Sequence, residues 1–280
     1  MTDQTTDRKV ALLGGGKMAE ALMAGLIRSG GRSVDEIMVT CRREERAREL
    51  AGKYGVSASL DNAEAARWAN VLVLMAKPQD MEVMLEQIRG DVTADDLVIS
   101  FAAGMRTSFA EKHLPADVPV VRVMSNVPVM VDEAMSVVSP GSRAEDKHVA
   151  IAEELLGYVG KVLRLPEVHL DAVTATSGSG PAYFFLLAEA MIEACILLGL
   201  SRDVATELII QTMLGSAKML RDTGKHPVEL REMVTSPGGT TIAAIRHLEE
   251  AGVRAAFLNA IDAARHRSAE LAQGGDEDDD

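Results

Sequence analysis

The chain has 280 residues, of which 47% are apolar and 25% charged, an ordinary globular composition that suits one large domain or two average ones and a core without disulfide or metal staples. Its net charge is −13, with acids filling positions 276–280, and its aromatic content is 3%. An acidic, aromatic-poor body lacks the positive field that nucleic acid or an anionic membrane needs, and also the stacking surfaces that bases need. The two cysteines, Cys41 and Cys195, lie far apart, and the histidines form no His-x-x-x-His pair, so a disulfide framework and a cysteine-built zinc site are excluded and no metal is expected.

The chain begins with a polar stretch, MTDQTTDRKV, that contains no apolar signal region, and a cytoplasmic protein is expected. Strands are predicted at 9–13 (KVALL), 37–40 (IMVT), 71–75 (VLVLM), 97–101 (LVISF) and 118–124 (VPVVRVM). These runs are aliphatic with little polar alternation, as expected of parallel strands covered on both faces. Helices are predicted between them at 19–29, 44–53, 80–88 and 108–114, and strands at 135–139 and 161–165 flank a helix at 146–158. The alternation points to βαβ units in a doubly wound sheet. After Pro166 the strands stop. Helices are predicted at 183–198, 203–221, 227–234, 241–250 and 254–271, with Gly199, Gly224 and Gly252 just past helix ends and Pro181 and Pro227 in first turns. The expected fold is therefore α/β: an N-terminal doubly wound domain over 1–166 and an all-helical domain over 167–280. The terminal GGDEDDD, 274–280, is expected to be disordered.

One segment, 182–200 (AYFFLLAEAMIEACILLGL), is apolar enough to be weighed as a membrane span. Glu189 and Glu193 share one helix face, and a span would bury both at about 2.5–3.5 kcal/mol each on insertion scales. The expectation is instead a helix buried in a core or in an interface between subunits.

The chemistry begins after the first strand. Gly14, Gly16 and Ala19 give the spacing Gly-x-Gly-x-x-Ala between a strand and a helix, the pattern of a Rossmann-type dinucleotide site. The phosphates of the cofactor would sit at a helix N-terminus. The second strand ends in Thr40-Cys41-Arg42-Arg43, with arginines where a carboxylate would favour NAD. Arginine there suits a 2′-phosphate, so NADPH is the expected cofactor, with NADH possible. The loops Met75-Ala76-Lys77-Pro78 and Phe101-Ala102-Ala103-Gly104 close two further strands, where open α/β sheets bind ligands. Spacing alone leaves Lys77 as either a ligand contact or a solvated lysine.

Two later runs, Ser177-Gly178-Ser179-Gly180-Pro181 and Thr235-Ser236-Pro237-Gly238-Gly239-Thr240-Thr241, each precede a predicted helix. Glycines, hydroxyls and free helix-start N–H groups can hold a small carboxylate. The alternative is a pair of ordinary caps, but a cap needs one hydroxyl rather than a run of them.

With these motifs the sequence resembles the pyrroline-5-carboxylate reductases. SGSGPAY at 177–183, QTMLGSAKML at 211–220 and HPVELREMVTSPGGTTIAAIRHLEEAGVRAA at 226–256 carry the likeness, supported by GGGKMAEAL, LMAKPQ and ISFAAG in the first half. The resemblance implies reduction of the C=N bond of 1-pyrroline-5-carboxylate to L-proline with NAD(P)H, the last step of proline biosynthesis. It also implies a helical C-terminal domain that dimerises, with dimers or decamers as the assembly. Cofactor contacts would fall on Leu13, Gly14, Gly15, Gly16, Lys17, Met18, Cys41, Arg42, Asn62, Met75, Ala76, Lys77, Pro78, Phe101, Ala102 and Ala103. The substrate carboxylate would be held at Ser236, Gly238, Gly239, Thr240 and Thr241, with Thr241 beside the imine nitrogen as the catalytic residue.

The chain departs from the family pattern at Ser125 and Val127, where a proline and a threonine are usual, at Asp132, where a glycine is usual, and at Lys17 and Thr176. Two other readings compete. A β-hydroxyacid dehydrogenase would carry its acid/base lysine four residues after Gly180, and Phe184 cannot transfer that proton. A non-catalytic dinucleotide sensor would not need an intact SPGGTT run.

Overall fold

The structure, a computed structural model, describes residues 8–273. The acidic tail at 274–280 lies outside the described residues. Strands β1 (Val10–Leu13), β2 (Ile37–Thr40), β3 (Ser57–Ser59), β4 (Val71–Leu74), β5 (Leu97–Ser100), β6 (Val120–Met124), β7 (Ala134–Pro140) and β8 (Gly160–Arg164) form one sheet in the order β3-β2-β1-β4-β5-β6-β7-β8. Neighbours run parallel except β6 and β7, which pair antiparallel. After β3 the chain crosses back to β4, so the strand order reverses between β1 and β4. Such a switch point opens a crevice at the carboxyl ends of the strands.

Helices α1 (Lys17–Arg28), α2 (Glu44–Tyr54), α3 (Asn62–Trp68), α4 (Pro78–Ile88), α5 (Thr107–His113) and α6 (Asp146–Gly157) complete this part of the chain. Strand β1 shows why helices lie on both faces. Its four side chains are wholly buried and alternate between two cores. Val10 and Leu12 join Leu22 and Leu26 of α1 and Leu155 of α6, whereas Ala11 and Leu13 join Ala65 of α3 and Met81 and Leu85 of α4. Each leucine so buried contributes about 1.5–3 kcal/mol.

Every predicted strand and helix is present, with ends shifted by at most three residues. The sequence reading missed β3, α3 and the short helix at Leu170–Val173. Strand β3 is three residues, Ser-Ala-Ser, at a sheet edge and partly exposed, so no apolar run announces it. Helix α3 is seven residues, begun by Asp61, whose carboxylate accepts from the Ala63 N–H at 2.8 Å.

The remaining elements are α7 (Leu170–Val173), α8 (Gly180–Leu197), α9 (Arg202–Thr223), α10 (Pro227–Met233), α11 (Thr240–Glu250) and α12 (Val253–Gln273). The described residues contain no strand after Arg164. Gly199, Gly224 and Gly252 follow helix ends with positive φ, as their spacing predicts. The chain divides into two compact units. One is formed by the residues up to Ser179 together with those from Ala264 on, and the other by Gly180–Ala263.

Two expectations are corrected. Pro181 does not sit in the first turn of an independent helix, and Ser177-Gly178-Ser179 is not a free helix start. The helical run is continuous over Glu167–Leu197, with a π-turn at Thr174–Gly178 in which the Ser179 N–H donates to the Thr174 carbonyl at 2.8 Å. The backbone N–H groups there bond along the helix rather than facing an anion. Pro181 has no N–H for the Ser177 carbonyl, and the side-chain amide of Asn126 donates to that carbonyl instead, at 3.0 Å. Helix α8 is apolar nearly all round, yet within the single chain only Gly180 is buried, and Phe184, Phe185, Leu186 and Leu197 are all exposed, so of the two expected coverings a core of its own chain is not the one found. The run Glu167–Leu197 is long and apolar enough to cross a membrane by length and composition.

Candidate active site

The glycine turn is built by the strands around it. Gly14 has φ +108°, and its N–H donates to Thr40 Oγ1 at 3.1 Å. The Gly15 N–H donates to the Thr40 carbonyl at 2.7 Å. A Cβ on Gly14 would lie 3.1 Å from the Met75 carbonyl oxygen, and one on Gly15 would collide with Cys41 Sγ. A Cβ on Gly16 would meet nothing within 4 Å. Thus β2 and β4 require the first two glycines, and the third keeps open space in front of α1. Gly16 caps α1 without a side-chain bond, which leaves the first N–H groups of the helix for an external anion.

A cleft of about 630 Å³ opens on this turn. Of the predicted cofactor residues it gathers Gly14, Gly15, Gly16, Cys41, Arg42, Asn62, Met75, Ala76 and Lys77. Seven others lie outside its lining. Leu13 and Ala102 are buried, Met18 and Phe101 are half-buried, and Lys17, Pro78 and Ala103 are exposed. Phe101, Ala102 and Ala103 still follow the carboxyl end of β5, the strand next to β4.

The cleft also holds Arg43, the second of the two arginines read as suited to a 2′-phosphate, and adds Arg46, Asp80, Val83, Met84 and Gln87, which the sequence reading did not propose. The last four fall at i, i+3, i+4 and i+7, one face of α4, and that periodicity was a readable signal. Arg46 ties the turn down. Its guanidinium donates to the Gly15 carbonyl at 3.0 Å, to Glu20 at 2.5 Å and to Glu49 at 2.7 Å. Glu20 also accepts from Lys53 and Tyr54, both at 2.8 Å. Lys53 and then Arg46 hold its carboxyl down to about 2. Arg46 is thus spent on structure. Burial pushes the Cys41 thiol up, so it lines the cleft as a small apolar group. Thr40 Oγ1 donates to Asn62 Oδ1 at 2.6 Å, and the Asn62 amide donates to Gln87 Oε1 at 2.7 Å. This chain of bonds fixes the floor between β2, α3 and α4.

A dinucleotide fits these residues. The bare glycine cradle and uncapped helix suit a pyrophosphate, and Arg42 and Arg43 close the second strand where a 2′-phosphate would lie. Among the described residues no group of three or more potential ligand side chains could hold a metal.

The predicted substrate residues belong to the second unit. Gly238 has φ +70°, the Gly239 N–H donates to the Ser236 carbonyl at 3.1 Å, and Gly239 caps α11 without a side-chain bond. The N–H groups of Thr240 and Thr241 therefore open the helix, where a carboxylate would be received. Thr241 is half-buried.

Three of the departures, Asp132, Ser125 and Thr176, have local partners, and nothing in the structure explains Lys17 or Val127, which are exposed. Asp132 has φ +59°, a left-handed residue for which glycine is the easy choice, and Arg28 grips its carboxylate with two bonds at 2.8 and 2.6 Å. Ser125 pairs its hydroxyl with Ser136 at 2.9 Å. Thr176 donates to the Ala172 carbonyl at 2.8 Å. Asn126 keeps both ends of its amide employed, with Met135 N–H donating to Oδ1 at 2.9 Å and Nδ2 serving the Ser177 carbonyl.

The description "Pyrroline-5-carboxylate reductase dimerisation" matches residues 167–271, and "NADP oxidoreductase coenzyme F420-dependent" matches 9–104. A pyrroline-5-carboxylate reductase of Methanosarcina acetivorans is 43% identical over 265 residues, spanning 95% of this chain and 98% of that protein. One from Arabidopsis thaliana is 38% identical over 265 residues, spanning 95% and 96%. Among solved structures, a pyrroline-5-carboxylate reductase from Coxiella burnetii superposes with a TM-score of 0.88 at 36% identity, covering 95% of this chain and 98% of that one. A pyrroline carboxylate reductase of Plasmodium falciparum, determined with NADP bound, superposes with a TM-score of 0.87 at 25% identity, covering 95% and 99%. With likeness of this degree running almost end to end, the chain belongs to the pyrroline-5-carboxylate reductase family.

Proposed function

We propose that this protein reduces the C=N bond of 1-pyrroline-5-carboxylate to L-proline, with NADPH as the preferred hydride donor and NADH as an alternative. The observation that carries the reading is a bare glycine cradle with two arginines beyond it, in a chain 43% identical to a pyrroline-5-carboxylate reductase over nearly its full length. When bound, the reduced nicotinamide supplies the hydride to the ring carbon.

The chain's own part is to bind and orient. The uncapped start of α1 holds the pyrophosphate, and Arg42 and Arg43 face the 2′-phosphate. The Ser236–Thr241 turn, with Gly238, Gly239 and Thr240, holds the substrate carboxylate on its backbone N–H groups. The Thr241 hydroxyl bonds the imine nitrogen. That nitrogen takes its proton from water before reduction, so no strong general acid is needed, and the rate comes from alignment in a dry cleft. The other members of the predicted cofactor set that line the cleft, Cys41, Asn62, Met75, Ala76 and Lys77, form its walls.

We further propose that the nucleotide-binding part ends near residue 166 and that the helices from 167 on pair two copies of the chain. Support comes from a match to a dimerisation family starting at residue 167 and from an α8 that is apolar all round and uncovered in one copy. An interface between copies, as dimer or decamer, covers that helix with protein, whereas a bilayer would take Glu189 and Glu193 at considerable cost. A cytoplasmic location is part of the same proposal, supported by the cost of putting Glu189 and Glu193 into a bilayer.

The test is loss of reduced-nicotinamide absorbance when 1-pyrroline-5-carboxylate is mixed with the protein and either NADPH or NADH. Oxidation with proline as product supports the reading. A folded protein that binds NADPH but turns over no substrate refutes it and favours the sensor alternative.

A further inference from the structure

The cations that line the cleft are not equally available to a phosphate. Arg46 is neutralised by Glu20 and Glu49. Arg42, the first residue of the pair expected to meet the 2′-phosphate, is already occupied. Its Nη1 lies 3.3 Å from both carboxylate oxygens of Asp80. Arg42 comes from the end of β2 and Asp80 from the first turn of α4, so the pair spans the cleft between two elements that both line it. Asp80 is two-thirds shielded from solvent, while Arg42 is largely exposed and free to swing. Arg43 also lines the cleft and has no carboxylate partner among the ion pairs of the described residues.

We propose that Asp80 is a specificity-determining residue that weakens the preference for a 2′-phosphorylated cofactor by competing for Arg42. The inference rests on the nucleotide reading of the cleft given above. A 2′-phosphate carries close to two negative charges and reaches Arg42 only by displacing the Asp80 carboxylate, which then stays nearby as an unpaired like charge. A cofactor with a free 2′-hydroxyl makes no such demand and can donate to the carboxylate. Asp80 therefore holds the two cofactors closer in affinity than two arginines alone would hold them.

Dissociation constants for NADPH and NADH, read by quenching or enhancement of fluorescence without substrate, test this in the full chain. Asp80→Asn keeps the side-chain shape and removes the charge. It should tighten NADPH by about two- to fivefold, the range of a solvent-exposed ion pair, and leave NADH unchanged or weaker. The gain should shrink as salt is raised from about 0.05 to about 0.5 M, on either side of physiological screening. In an Arg42→Ala background, Asp80→Asn should no longer change the NADPH/NADH ratio. Asp80→Ser, which also lacks the charge, should reproduce the shift and guards against a folding artefact of one variant. An equal change for both cofactors, or a full shift that persists without Arg42, overturns the proposal while leaving the nucleotide site intact. Absence of binding by either cofactor to the unaltered protein overturns the nucleotide reading, and this proposal with it.

Discussion

Asn126 replaces a hydrogen bond that Pro181 cannot make, and this substitution of one donor for another can be measured. The Asn126 side chain is buried at 8% exposure, accepts from Met135 N–H and donates to the Ser177 carbonyl. Truncation to alanine leaves both backbone groups without a partner, at about 1–3 kcal/mol for each buried group. Asn126→Ala should therefore lower unfolding free energy by about 2–6 kcal/mol, as read by urea denaturation at a fixed protein concentration. The two halves of that loss separate in a cycle. Pro181→Ala restores an N–H one helical turn beyond Ser177, so the carbonyl has a second donor available. In that background Asn126→Ala should cost about 1 kcal/mol less, because only the Met135 N–H is abandoned. Asn126→Asp should fall between the two, since a carboxylate can still accept but cannot donate. If Asn126→Ala costs the same with proline and with alanine at 181, the side chain is not standing in for the missing N–H and the argument fails.

Other outcomes follow from the same geometry. Gly14→Ala forces a side chain to φ +108° against the Met75 carbonyl, and NADPH titration should show a rise in Kd of at least about fivefold, as strain of about 1–3 kcal/mol implies. Glu20 has its carboxyl lowered from 4.5 to about 2, so its contribution is present above pH 4.5 and lost as pH falls toward 2. Glu20→Gln should flatten that acid limb of stability, and an unchanged limb would assign it to other carboxylates. Asp132→Gly exchanges an ion pair for relief of a left-handed backbone and should be neutral within about 0.5 kcal/mol, whereas Asp132→Ala loses the pair and keeps the strain, at up to about 1 kcal/mol in urea. Thr241→Ala should reduce kcat by about tenfold, the worth of one hydrogen bond to the imine nitrogen, without abolishing turnover. A folded but inactive variant would show that Thr241 does more than orient.

What could be read in advance was what a strand or helix announces by itself. Strands β1, β2, β4 and β5 are four-residue aliphatic runs buried on both faces, and such runs have few other uses. The glycine turn was legible because its spacing follows from the strand–helix junction. Three features were not legible, each for a physical reason. Strand β3 exists because β2 offers it an edge, and Ser-Ala-Ser shows no preference of its own. Arg46 reaches the cleft only once the strand order brings α2 beside the glycine turn, and although the face of α4 that carries Asp80 and Gln87 is periodic in the sequence, what it faces is set by that same order. Pro181 was assigned to a first turn because a proline inside a helix ordinarily breaks it, and the amide that rescues the Ser177 carbonyl lies 51 positions earlier in the chain.

The first compact unit is discontinuous in sequence. The chain leaves it after Ser179 and returns at Ala264, partway along α12. One bond marks the return, from the Ser268 hydroxyl to Asp171 at 2.7 Å, with Ser268 buried. Closing a loop of 97 residues costs about 4 kcal/mol in chain entropy, more than a single such bond gives back. During synthesis the sheet can therefore form from its own strands while Asp171 waits for the last helix to leave the ribosome. A chain stopped at residue 263 would carry every nucleotide- and substrate-facing residue named above and still lack the segment that closes its first unit.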